Sequence, residues 1–188
     1  MNEHGKVCFC NARSAFLFAE STPESCIGKN FVELFGEEWA TRRIDMLRQI
    51  IASGKPAISR HIRFGRRIQS TVRPLRLDDQ DDQSFLVITV EGEHEPDDPS
   101  KFEIIESDVV HLGPLNTLTR RELEVLALVG HGLPTAQIAS LMHRSPRTVE
   151  RHLDSIRAKL NGANRVELAA FARRAGLRVE DADKARVN

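Results

Sequence analysis

The sequence has no tyrosine, a single tryptophan and only three cysteines in 188 residues. Cys8, Cys10 and Cys26 are odd in number and sparse, so no disulfide framework is indicated, and their spacing matches no zinc site. Long apolar runs are missing too. The longest, Phe85-Leu-Val-Ile-Thr-Val90, falls far short of the roughly 18–20 residues needed to span a bilayer. The first twenty residues flank the apolar patch Ala15–Ala19 with acids and lack a secretory layout. There is no phosphate loop, metal cluster or nucleophile elbow. His4, His61, His94 and His111 have no cysteine, serine or aspartate at dyad spacing. The expectation is a soluble cytoplasmic protein that is not an enzyme, with no catalytic or metal-ligating residues, no membrane partner and no identified cofactor.

What is present divides into two halves. Basic and acidic residues balance at 27 each. Yet residues 1–110 carry 14 basic and 19 acidic side chains, and residues 111–188 carry 13 and 8. Only the second half suits a polyanion. Glu91–Ser100 reads EGEHEPDDPS, with two prolines and five acids, as a solvated linker does. A second break falls at Gly113-Pro114. Between them Phe102, Ile104, Ile105, Val109 and Val110 form an amphipathic stretch that is either a strand or a connecting helix. The expected domains are residues 1–93, a linker 94–113, a second domain 114–178 and a tail 179–188.

Four helix starts follow Leu118. Thr119 with Glu122 makes a capping box, with Leu118 and Leu123 as its hydrophobic staple, and that helix stops near Gly130 or Gly132. Thr135 caps a short helix carrying Ile138, Ala139, Leu141 and Met142. Ser145 with Pro146 opens a third, and Asn164 with Glu167 a fourth. In the third, Val149, Leu153, Ile156 and Leu160 fall in one stripe, which leaves Arg147, Arg151, Asp154, Ser155 and Ala158 opposite, flanked by Thr148 and Glu150. Arginine forks match guanine O6 and N7, a carboxylate accepts from cytosine N4, and helix N-terminal amides meet phosphate. The pair of helices has the form of a helix-turn-helix, whose first member crosses behind the reading helix.

Residues 118–177 resemble the LuxR/GerE family of helix-turn-helix domains. The matching pieces are Leu118-Thr-x-Arg-Glu-x-Glu-Val-Leu126, Gly132-Leu133, Ile138-Ala139, Arg147-Thr-Val149, His152, Lys159-Leu160 and Asn164-Arg-Val-Glu-Leu168. The resemblance implies an all-α four-helix domain and a recognition helix at 145–160. It makes double-stranded DNA the partner of Thr135, Ser145, Arg147, Thr148, Glu150, Arg151, Asp154, Ser155 and Lys159. It also implies a homodimer through Val166, Ala169, Ala170 and Arg173 on the last helix, with RNA polymerase as a candidate partner. The chain departs from the family's frequent lysine at Glu150 and lysine or neutral residue at Asp154, which weakens phosphate attraction on that face.

Residues 1–93 read as α+β. Lys6–Cys10 alternates like a strand and Arg13–Glu20 is a short helix. Ile27–Phe35 is another, and Glu37–Ser53 a longer amphipathic helix ended by Gly54. Pro56–Phe64, Arg66–Leu77 and Ser84–Glu91 read as three antiparallel strands joined at Gly65 and at the acidic turn Asp78–Asp82. The order resembles a PAS domain through Gly5–Asn11, Ile27–Phe35, Gly54-Lys-Pro56 and Ser84–Val90. The family's usual first strand is absent, so the expectation is an open edge at Lys6–Cys10, a partner covering it, or a start further upstream. Gly28-Lys-Asn30 is followed by Phe31 where the family's flavin sensors place cysteine. His61 is expected at the surface or a turn rather than as a haem ligand. Cys8 and Cys10 are expected on one strand face, and Trp39 with Phe9, Phe16, Phe18, Phe31 and Phe35 in the core.

Together these readings describe a sequence-specific transcriptional regulator, dimerised or regulated through the PAS-like part. The alternatives are a sigma-type factor acting through RNA polymerase, which the helix after the recognition helix argues against, and an enzyme with an appended helix-turn-helix, which the missing motifs argue against.

Overall fold

A computed structural model describes residues 1–75, 83–161 and 163–187. The chain forms two units, one chiefly Met1–His61 with Ile68–Ser107, the other Ile62–Arg67 with Asp108–Arg186.

The first unit is α+β. It runs α1 (Ala12–Ala19), α2 (Pro23–Cys26), α3 (Phe31–Phe35), α4 (Glu37–Ser53), β1 (Ala57–Arg63), β2 (Arg66–Leu75), β3 (Ser84–Glu91) and β4 (Glu103–Glu106), with residues 62–67 of β1 and β2 in the second unit. Asn11 caps α1 by accepting from the Ser14 amide at 2.8 Å. In α4, Trp39, Arg43, Met46, Leu47 and Ile50 recur at helical spacing and are buried. The helix stops as expected at Gly54, whose φ of 66° suits a left-handed cap. The sheet order is β3-β2-β1-β4, with β2 and β3 antiparallel from Ile68 opposite Glu91 to Leu75 opposite Ser84.

Several expectations change here. Lys6–Cys10 does not join the sheet. Val7 instead donates to the Lys29 carbonyl at 2.9 Å and accepts from the Gly28 amide at 2.8 Å, so local turns satisfy its backbone. Cys8 is therefore exposed and Cys10 half-buried, not paired on a strand face, while Cys26 is buried. Phe9 is 77% exposed and Phe16 is exposed as well, so neither fills the core. His61 is buried on β1 rather than at the surface. The helix expected from Ile27 starts at Phe31, where Asn30 and Glu33 close a capping box. The stretch 102–110 is strand: β4 pairs in parallel with β1, Ala57 opposite Glu103, so the segment expected as linker supplies a sheet edge. The turn Asp78–Asp82 lies outside the described residues.

The second unit is mainly helical: β5 (Val109–Val110), α5 (Arg120–Gly130), α6 (Thr135–Leu141), α7 (Pro146–Lys159), α8 (Arg165–Arg174) and β6 (Ala185–Arg186). Its core joins Leu115, Leu118, Leu123, Leu126, Ile138, Leu153, Ile156 and Leu168. Thr119–Glu122 and Asn164–Glu167 form the expected capping boxes, each cap contributing about 1 kcal/mol. Helices α5 and α8 approach so closely that a Cβ on Gly130 would lie 2.6 Å from the Ala172 Cβ. Phe64 and Gly65 have φ of 49° and 65°, the pair of positive values that a two-residue type I′ turn requires. Residues 179–188, expected as a tail, include buried Asp181 and strand β6, which runs parallel to β5.

Candidate nucleic-acid interface

Helix α7 is built to keep one side free. Ser145 accepts from the Thr148 amide at 3.2 Å, and Pro146 occupies the first turn, where an amide would lack a partner anyway. The chain turns sharply into it from α6, with His143 at φ 52° and the Arg144 amide donating to the Ala139 carbonyl at 2.9 Å. Val149, Leu153 and Ile156 are then buried, so 3.6-residue periodicity puts Arg147, Glu150, Arg151 and Asp154 into solvent. Among the described residues neither Arg147 nor Arg151 enters an ion pair. Their guanidiniums are available to an external acceptor.

The two acids on that face are occupied by neighbours. Glu150 accepts from the Thr135 hydroxyl at 2.8 Å, which ties the start of α6 to the start of α7. Thr135 is thus the first residue of α6 and not its cap, a position that falls to Pro134. Asp154 pairs with Arg157 at 2.8 Å. Thr148 is half-buried, its hydroxyl 2.9 Å from that of Ser145.

Ser155 and Lys159 are placed differently from the rest. Ser155 donates to Glu122 Oε1 and Lys159 to Oε2, both at 2.6 Å. The structure therefore groups them with α5 rather than with the free arginines. Burial pushes the Glu122 carboxyl up, but hydrogen bonds from Lys159, Ser155 and Thr119 outweigh it and hold the pKa down at about 2. Glu122 is legible in sequence as a capping-box member. Its second role is not, because its partners lie 33 and 37 positions away. Arg144, exposed in the turn, is the cation that a helix-face argument passes over, because it precedes the cap.

On α8, Val166, Ala170 and Arg173 are exposed and Ala169 half-buried, while Leu168 and Ala172 face inward. Of the four predicted contact residues, Val166 (74% exposed), Ala170 and Arg173 face outward, whereas Ala169 packs against the core.

Residues 116–172 match the family described as bacterial regulatory proteins, luxR family. Residues 1–91 match the PAS fold. The LuxR-type region is similar to an HTH-type transcriptional regulator of Mycobacterium bovis, with 45% identity over 60 residues, 32% of this chain and 7% of that one. It is similar to the transcriptional regulatory protein LiaR of Bacillus subtilis at 34% over 61 residues, 32% of this chain and 29% of LiaR. The nitrate/nitrite response regulator protein NarP of Escherichia coli is 43% identical over 53 residues, 28% of this chain and 25% of NarP. This chain thus spans less than a third of the length of each of these relatives. The matches give a sigma-type reading no support. Among the described residues no helix is long and apolar enough to cross a membrane, and no cluster of histidine, cysteine and acidic residues suits a metal.

Proposed function

We propose that the chain is a cytoplasmic, non-enzymatic transcriptional regulator. It places α7 of its LuxR-type domain in the major groove of double-stranded DNA, under the control of the PAS-like domain. The observation that carries this is the pair Arg147 and Arg151, both exposed on the outer face of a helix whose inner stripe is buried. Arg147, with Ser145 and Thr148 at the N-terminus, lies where amides and hydroxyls meet phosphate. Arg151, a turn further in, is assigned to a base edge and Arg144 to the backbone. Glu150 and Asp154 border the reading face, Thr135 holds Glu150 in place, and Ser155 and Lys159 act indirectly by anchoring α7 on Glu122.

Val166, Ala169, Ala170 and Arg173 supply the dimer face, so that two copies of α7 read half-sites one helical turn, about 34–36 Å, or a multiple of it apart. RNA polymerase is the further partner such a regulator would address. The test is selection of bound DNA from a random pool with the full chain at low and moderate salt. A half-site repeated with two-fold symmetry is the expected result. Failure to enrich any sequence, or to retain DNA at all at low ionic strength, overturns the reading.

A further inference from the structure

All the cysteines of the chain lie in the first unit, and the structure brings two of them together. Cys26 ends the single-turn helix α2 and is 4% exposed. Cys10 directly precedes Asn11, the cap of α1, and its thiol lies 3.9 Å from the carbonyl of Pro23, the first residue of α2. Residues three apart on a helix share one side, so Pro23 and Cys26 face the same way. The Cys10 thiol accordingly reaches the Cys26 thiol at hydrogen-bonding range. Cys8 stands apart. It is exposed, and its thiol turns back to the Lys6 carbonyl at 3.6 Å.

The backbone on either side of the pair is anchored. Val7 bonds to the Lys29 carbonyl and the Gly28 amide at 2.9 and 2.8 Å, which holds the segment before α1 against the residues after α2. Asn11 fixes the start of α1, and Thr22 with Ser25 closes a capping box on α2. Thiols that meet on anchored backbone can be joined with little rearrangement.

We propose that Cys10 and Cys26 are a redox-responsive pair, which an external disulfide such as glutathione disulfide converts to an intrachain bond. The Cys10 thiolate attacks one sulfur of the external disulfide, forms a mixed disulfide and expels one glutathione thiolate. The Cys26 thiolate then attacks Cys10 Sγ, forms the Cys10–Cys26 bond and expels the second. Two protein thiols are oxidised and one external disulfide is reduced, and the two thiol protons end on the released glutathiones. Cys10 reacts first because it is only half-buried, whereas Cys26 is shielded. Burial and the neighbouring Cys26 push the Cys10 thiol up, so exchange is slow at neutral pH and quickens as pH rises. In a reducing compartment the bond forms only when the glutathione pool is oxidised, so it responds to redox state rather than holding the fold. Once formed, it closes a ring through α1 and ties that helix to α2. The pair belongs to the first unit alone and is independent of DNA binding.

The full chain is equilibrated at mildly alkaline pH over a series of glutathione disulfide to glutathione ratios, then quenched with acid and alkylated. Mass spectrometry counts the thiols and maps the links. Cys10 and Cys26 are expected to disappear together as free thiols, and proteolysis to recover the Cys10 peptide joined to the Cys26 peptide. Dithiothreitol should restore both. In a Cys8→Ser background the bond should still form. In that background Cys26→Ala should stop the reaction at one glutathione on Cys10, and Cys10→Ala should leave Cys26 reduced. A glutathione adduct that persists on Cys10 with Cys26 present overturns the proposal. So does a bond that uses Cys8 or joins two chains, or no oxidation in a large excess of glutathione disulfide. The link map of the unaltered chain decides the matter even where a variant does not fold.

Discussion

Each unit buries more than one arginine, and Arg67 of the second and Arg43 of the first are held in different ways. In the second unit Arg67 meets Asp181 at 2.6 Å, with side chains 3% and 0% exposed. Asp181 also forms an ion pair with Lys184 at 2.8 Å and accepts from the Arg178 amide at 3.0 Å. Burial alone would push that carboxyl up, but Lys184 and Arg67 hold it below its ordinary value. In the first unit Arg43 leans on Ser59, His61 and an aromatic face. Arg67 is thus closed against a buried carboxylate, and Arg43 is held by a hydroxyl, an imidazole and an aromatic face.

Breaking the closed pair should give the largest effect. Asp181→Ala leaves Arg67 buried without its carboxylate, and the expected cost is about 3–5 kcal/mol to the unfolding of the second unit. Arg43→Met removes charge and hydrogen bonds together, with an expected cost of about 1–2 kcal/mol. Denaturant titration of the two full-length variants checks the ordering. Equal losses would mean that the two ways of holding an arginine are equivalent.

Glu122 extends the comparison to pH. Its carboxyl falls from 4.5 to about 2 on folding, a difference on the order of 3 kcal/mol. Because the folded value is the lower one, this stabilisation is fully present above about pH 4.5. It is lost as pH falls through the interval between the two values. Glu122→Gln should therefore lose most of that amount at neutral pH and flatten the acid limb of the melting curve between pH 5 and 2, an estimate set by the same linkage. It should also loosen α7, since Ser155 and Lys159 lose their shared anchor.

The free arginines are expected to matter for binding and not for folding. Arg151→Ala should cost about 1–3 kcal/mol in DNA affinity and relax preference at one position if it reads a base. Arg147→Ala should weaken all sequences alike and lower the salt slope by about one unit if it meets phosphate. Binding titrations over a salt series on matched and mismatched sites separate the two outcomes. Both variants should melt within about 0.5 kcal/mol of the parent, as exposed substitutions do.

The helical unit was legible because its signals are short. Thr119 with Glu122, Ser145 with Pro146 and Asn164 with Glu167 act over three residues or fewer, and each marks a helix start. The sheet was legible only in part. Alternation marks Ser84–Glu91 as a strand, but nothing local says that Glu103–Glu106 pairs with Ala57–Arg60 or that Lys6–Cys10 stays out of the ladder. His61 was misplaced for the same reason, since a histidine on a strand looks the same in sequence whether it faces solvent or Arg43. On the candidate interface, periodicity identified Arg147 and Arg151 as outward. It could not separate them from Ser155 and Lys159, whose acceptor sits on another helix.

Asp154 is expected to give the smallest effect on stability. Its ion pair with Arg157 joins side chains 71% and 34% exposed, three residues apart. Asp154→Asn should change stability by less than about 0.5 kcal/mol, because exposed pairs are screened and lose side-chain freedom when they form. Its effect on DNA should be larger than its effect on folding. The substitution removes a negative charge from the face that carries Arg151 and frees Arg157, so non-specific binding should tighten by about twofold or more at low salt and converge with the parent as screening grows. Unchanged binding at every salt concentration would mean that the outer face of α7 beyond Arg151 lies clear of the phosphates, and would confine the contact to the first two turns of the helix.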